Sequence, residues 1–197
     1  MHVLHEKLFN AMSNPRFLSG EAAGAETPFY ICPYDVAKSA EMEEFIQLLS
    51  KRLEDNGIHT LSIDLFALMV DTMKENDDFD WTIEHEDGQT CEELREDLHG
   101  ILEEGSVIAP AIKRRLEATP PEKRQIIFIT NIGACYPVIR AHKLLNNLPS
   151  IIGRTPLVMF FPGEYRQVPG SGASLSLFGK LAGDGYYRAF DISEIQI

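Results

Sequence analysis

The segment from Cys32 to Ser39, CPYDVAKS, has the outline of a phosphate-binding loop. A short apolar run stops, a turn follows, and a helical pattern opens on Lys38-Ser39, which hold the last two places of G-x-x-x-x-G-K-[ST]. Such a loop works because glycines let successive backbone N–H groups converge on phosphate oxygens. Here Cys32 and Ala37 stand at the two glycine positions and carry Cβ atoms, and Pro33 has no N–H. Asn131 follows the apolar run IIFIT, where an acid would be wanted to help hold magnesium. The pattern therefore allows at most a degenerate nucleotide-binding domain that binds without hydrolysis.

Other chemistry is less well supplied. The six histidines are scattered, no Cys/His group has zinc spacing, and no G-x-S-x-G elbow is present. Three widely spaced cysteines, Cys32, Cys91 and Cys135, argue against a disulfide framework and fit a reducing cytoplasm. Cys32 or Cys135 could be a nucleophile at a strand end, but a buried thiol is more often inert. The expectation is no catalytic constellation, no metal and no cofactor. A small-molecule enzyme using Glu164, Tyr165 or Cys135 rests on position alone.

These residues need a scaffold, and its elements can be read from periodicity. Val3 to Met12 reads as a short helix. PFYIC (28–32), HTLSIDLF (59–66), IIFIT (126–130), PLVMFF (156–161) and YYRAFDI (186–192) read as strands. Met42, Phe45, Ile46, Leu49 and Leu53 mark one helix face, which Asn56-Gly57 ends. Leu65 to Met73 looks helical, as do runs around Leu94–Leu102 and Ile108–Leu116, the latter with Ser106 as its cap. A further helix is expected from about Pro137 to Leu148. The Gly- and Ser-rich stretch 162–185 reads as a long loop. Strands alternating with helices predict one α/β domain over 1–197: an open, mostly parallel sheet of about five strands with helices on both faces, Rossmann-like or degenerate P-loop-like. The stretch 67–123 is too long for a plain crossover and reads as a helical insertion.

In such a sheet ligands sit beyond the carboxyl ends of the strands. The candidate binding residues there are Tyr34 and Asp35 after the first strand, Asn131 and Tyr136 after the third, and Glu164 and Tyr165 after the fourth. Loop capping and turn chemistry would account for the same residue types.

Charge is uneven. Between Glu75 and Glu104 lie thirteen acids and a single base, Arg95, so this stretch carries the whole net charge of −12 and the remainder is balanced. It reads as a solvated face or as a docking surface for a basic partner. Direct nucleic-acid binding by it is disfavoured, because phosphates would be repelled. No apolar run approaches a membrane span, and MHVLHEKLFNAM lacks the basic region and apolar core of a signal peptide.

PFYICPYD, GACYPVIRAHKLLNNL, PLVMFFPGEY, LSLFGKL and YYRAF, in this order, resemble the BrxB family of BREX bacteriophage-defence systems, with the resemblance running from about Pro28 to Phe190. It implies a small cytoplasmic bacterial component of a system whose methyltransferase, large ATPase and PglZ supply the identifiable chemistry. It carries over no catalytic residue. The role it implies is an adaptor or assembly factor that binds other BREX proteins, PglZ foremost.

Overall fold

A computed structural model describes residues 2–22, 27–168, 172–182 and 189–195. The chain runs α1 (His2–Met12), α2 (Pro15–Leu18), β1 (Phe29–Tyr34), α3 (Ser39–Asp55), β2 (Thr60–Asp64), α4 (Leu65–Glu75), α5 (Asp78–His85) and α6 (Cys91–Ile101). It continues with α7 (Ala109–Glu117), β3 (Ile126–Thr130), α8 (Ala141–Asn147), α9 (Pro149–Ile152), β4 (Leu157–Val168), β5 (Gly172–Leu177), β6 (Leu181–Ala182) and β7 (Phe190–Asp191). Five strands form the main sheet in the order β2-β3-β4-β1-β7, and every neighbouring pair is parallel. The fold is α/β with helices on both faces, as the alternation of strands and helices predicts.

Successive strand residues point to opposite faces, so an unbroken apolar run supplies two cores. In β1, Tyr30 and Cys32 join Phe128, Val158 and Phe160 under α1, α2 and α3. Phe29 and Ile31 join Ile127, Ile129, Met159 and Phe161 on the other side, under α4, α7, α8 and α9. The Phe128 and Phe160 rings meet edge to face at 5.2 Å, worth about 1 kcal/mol beyond the area they bury. Met42, Phe45, Ile46, Leu49 and Leu53 of α3 are all buried, as their spacing requires. The helix stops at Asn56, and Gly57 takes the left-handed conformation (φ 77°) expected just past a helix end. Pro33 is tolerated inside β1 because β7 pairs only with Tyr30 and Ile31, leaving the strand one-sided where the proline sits.

Three expectations need correction. The stretch 162–185 is not one long loop. β4 continues to Val168 and β5 folds back against it antiparallel, from Gly163↔Leu177 to Val168↔Gly172, with β6 added outside. Glycine and serine hid this strand, since Leu175 and Leu177 reach the core and Ser174 and Ser176 alternate with them. The helix expected from Pro137 begins at Ala141, because the chain after β3 first makes a 3-10 turn, Ile132–Cys135, and then a bend. Ser106 does not cap α7. A π-helical turn, Glu104–Ile108, leads into it, and the Glu103 carboxylate accepts from the Ser106 N–H. Of the last expected strand, Phe190–Asp191 pairs with β1, and residues 186–188 lie outside the described residues.

The acidic stretch forms α5 and α6 on the outside of the molecule. No residue of α6 is buried, and the helix is started by a capping box between Thr90 and Glu93. The joint behind it is different. Glu104 is fully buried, and its Oε1 accepts from the Arg140 N–H at 3.0 Å, tying the π-helical turn to the start of α8. Its Oε2 lies 4.0 Å from His99 Nδ1, while His99 Nε2 is 3.3 Å from Lys143 Nζ.

Candidate functional site

The carboxyl ends of β1, β2, β3 and β4 lie side by side, and most polar side chains there are engaged with their own backbone. After β1, Asp35 accepts from the Ala37 N–H (3.0 Å) and Ser39 Oγ donates to the Val36 carbonyl (2.7 Å), closing a 3-10 turn over Val36–Lys38. The N–H that a phosphate would seek is thus met by the protein's own carboxylate. Lys38 is exposed and does not line the adjoining cleft. The outline of a phosphate loop is explained by this Asp-capped turn leading into α3.

Asp64, at the end of β2, accepts from the Ala67 N–H with Oδ1 (3.0 Å) and from Asn131 Nδ2 with Oδ2 (2.7 Å). Asn131 is left-handed (φ 58°), a conformation asparagine takes more readily than most residues. Together the two residues cap α4 and bind the ends of neighbouring strands. Glu164 pairs with Arg166 at 2.6 Å on the exposed side of the hairpin, and the Tyr165 hydroxyl donates to the Ala189 carbonyl at 3.0 Å. Burial raises the Tyr165 pKa, with Asp191 and Glu194 pushing the same way. Tyr136 is exposed. The thiols are poorly placed for nucleophilic work. Burial, reinforced by Asp191, pushes Cys32 up to about 12, and burial, reinforced by Asp64, pushes Cys135 up to about 12.

The structure brings two of the expected residues, Tyr34 and Asn131, to one cleft of about 490 Å³ between α3 and the sheet. Its floor is Met42, Ile46 and Phe160, and its walls are Glu43, Gln47, Ser50, Lys51 and Glu54 of α3 facing Ser62, Asp64 and Thr130. Burial raises the Tyr34 phenol, the Glu43 carboxylate adds to this, and a hydrogen bond with Ser39 opposes it. Asp35, Tyr136, Glu164 and Tyr165 do not line this cleft. The α3 wall went unread in the sequence, although Glu43, Gln47, Lys51 and Glu54 recur at helical spacing beside the apolar stripe, and Thr60, Ser62 and Asp64 alternate along β2. Among the described residues no group of His, Cys, Asp and Glu could hold a metal ion, and no helix is long and apolar enough to cross a membrane.

Comparison with known proteins adds the family. A BREX protein BrxB of Bacillus cereus (strain H3081.97) is 29% identical over 188 residues, covering 95% of this chain and 94% of that protein. A BREX protein BrxB of Escherichia coli O9:H4 (strain HS) is 29% identical over 180 residues, covering 91% of this chain and 84% of that protein. No solved structure matches. The family model described as "BREX protein BrxB" matches residues 61–192, a span that contains most of β2 and all of β3, β4 and the hairpin, and by that match the chain belongs to the BrxB family.

Proposed function

We propose that this protein is a non-catalytic component of a BREX phage-defence system, an adaptor or assembly factor that binds other BREX proteins, with PglZ the first candidate. Membership in the BrxB family supports the system. The observation that carries the adaptor reading is the division of labour at the carboxyl edge. Side chains able to do chemistry there are engaged in caps and ties: Asp35, Asp64, Asn131 and Tyr165. Beside them, large apolar or aromatic side chains face outward: Val36 (44% exposed), Phe66 (44%) and Tyr136 (39%), which follow the ends of β1, β2 and β3 in turn. Exposed side chains of this kind gain from being covered by another protein, and aromatic residues dominate the energetics of such contacts.

The test is a pull-down of the folded protein at micromolar concentration against each of the other BREX proteins, repeated with Val36→Ser, Phe66→Ser and Tyr136→Ser combined. The parent should retain at least one partner, and the triple variant should weaken that association about a hundredfold, since each of the three lost anchors costs on the order of 1 kcal/mol. A parent that retains none would sink the adaptor reading. Calorimetry with ATP, GTP and NAD checks the alternative of a degenerate nucleotide-binding domain. With the Ala37 N–H already occupied by Asp35, the expected result is no saturable heat.

A further inference from the structure

The cleft beneath α3 lies against the sheet's edge strand. β2 bonds only to β3, and no strand lies on its other side among the described residues. Its side chains divide cleanly: Leu61 packs against the core on the α4 side and Ile63 is buried there, whereas Ser62 and Asp64 are exposed and line the cleft. At the strand's beginning, Ser50 of α3 and Thr60 share a hydrogen bond. An unpaired edge offers a row of backbone donors and acceptors, and a chain laid along it presents every second side chain to one face.

The walls state what those side chains should be. Three carboxylates, Glu43, Glu54 and Asp64, face the cleft against one ammonium, Lys51. Asp64 accepts from the Ala67 N–H and from Asn131 Nδ2. The side chains of Glu43, Glu54 and Lys51 make no hydrogen bond or ion pair among the described residues. An anion such as a nucleotide would meet this excess of negative charge. An arginine or lysine side chain would find carboxylates with free acceptor capacity above the apolar floor of Met42, Ile46 and Phe160, on which its methylene stem can rest. Glu43 and Glu54 are eleven residues apart on α3, about 16 Å at 1.5 Å per residue. That matches about five residues of extended chain, the length of β2 itself.

We infer that the cleft receives an extended basic segment of a partner protein, which adds as a strand along the free edge of β2 and places alternate arginine or lysine side chains between Glu43 and Glu54. The inference deepens the adaptor reading by naming the chemistry of what is bound. The probe is a blocked octapeptide of alternating arginine and threonine, titrated calorimetrically at low and at physiological salt. Octapeptides of alternating glutamate and threonine, and magnesium-ATP, serve as counter-probes. The basic peptide should bind saturably and more weakly as salt rises, and neither counter-probe should bind. Glu43→Gln with Glu54→Gln should weaken the peptide about tenfold, a typical loss for two charge pairs, with circular dichroism and urea midpoint unchanged. Deuterium exchange of residues 59–66 should slow in the peptide complex.

No heat with the basic peptide would mean that β2 is a guarded edge and would overturn the inference. Unchanged affinity in the double variant would overturn it too, placing the attraction elsewhere, as on the acidic α5 and α6. Unchanged exchange over 59–66 would remove the added strand. Because the peptide stands in for the partner, these results are independent of which BREX proteins a pull-down retains.

Discussion

The two faces of one sheet have been covered in different ways. On one side α4, α7, α8 and α9 close over β1 to β4, the hairpin adds Leu175 and Leu177, and even a glutamate is sealed inside. On the other side α3, with α1 and α2, covers the centre of the sheet and leaves β2 beside an open cleft. The strands in the middle are apolar on both faces, so both must be covered. β2 is apolar on one face and polar on the other, and coverage stops where its alternation allows. The difference teaches that the open region is set by five residues of edge strand rather than by a missing helix.

The sharpest way to break the packed side is at Gly163, where β4 leaves the parallel sheet for the hairpin. A Cβ there would lie 2.1 Å from the Ser176 carbonyl oxygen, a backbone atom that cannot rotate away. Gly163→Ala should destabilise by about 3 kcal/mol or more, read as a fall in urea midpoint, and an unchanged midpoint would show that the hairpin is not held at this crossing. Next in size is Glu104. Glu104→Ala removes a buried acceptor from the Arg140 N–H and leaves a void, at a cost of about 2–4 kcal/mol, while Glu104→Gln keeps an acceptor and should cost about half as much. Equal losses in the two variants would assign the effect to charge rather than to the missing bond.

Asn131 sits where the two faces meet. Asn131→Ala loses both the bond to Asp64 and an easy left-handed backbone, about 2 kcal/mol in all. Asn131→Gly loses only the bond, about 1 kcal/mol. The order of the two, measured by denaturation, separates backbone strain from the strand tie.

The smallest effect at neutral pH concerns the thiols, of which each face buries one. In native protein at pH 8 a thiol reagent should modify exposed Cys91 and leave Cys32 and Cys135 unreacted until denaturant is added. Rapid reaction of Cys32 would show that the α3 side is open beyond the cleft. Both buried thiols are raised from an ordinary 9.0 to about 12, so their protonated form favours the folded state. That contribution is intact below pH 9 and is lost as pH rises from about 9 to about 12, which should appear as a falling urea midpoint over that range.

Much of this was legible in one dimension. The helix face from Met42 to Leu53 follows helical spacing, and IIFIT and PLVMFF are too apolar for anything but a strand covered on both sides. The hairpin was not legible, because glycine and serine carry little strand preference and β5 exists through its pairing with β4. The hydrogen-bond partners of the candidate residues were not legible. Asp35 and Asn131 lie at strand ends as expected and Tyr165 lies inside the longer β4, and their hydrogen-bonding groups are taken by Ala37, Asp64 and Ala189. Only the last two of these partners are distant in sequence, and a distant partner leaves no local signal.

By itself, then, the sequence determined the alternation of strands and helices, the two-sided burial of the central strands, the concentration of charge between Glu75 and Glu104, and the family-like segments. These are properties of composition and short-range spacing, which the backbone's periods of 3.6 and 2 translate directly into faces. Tertiary structure alone decided that α3 and β2 would line one cleft, that Glu43 and Glu54 would share it with Ser62 and Asp64, and that Glu104 would be buried against the start of α8. Each of these joins residues from separate elements, and their meeting depends on strand order and packing, which no local pattern of residues encodes.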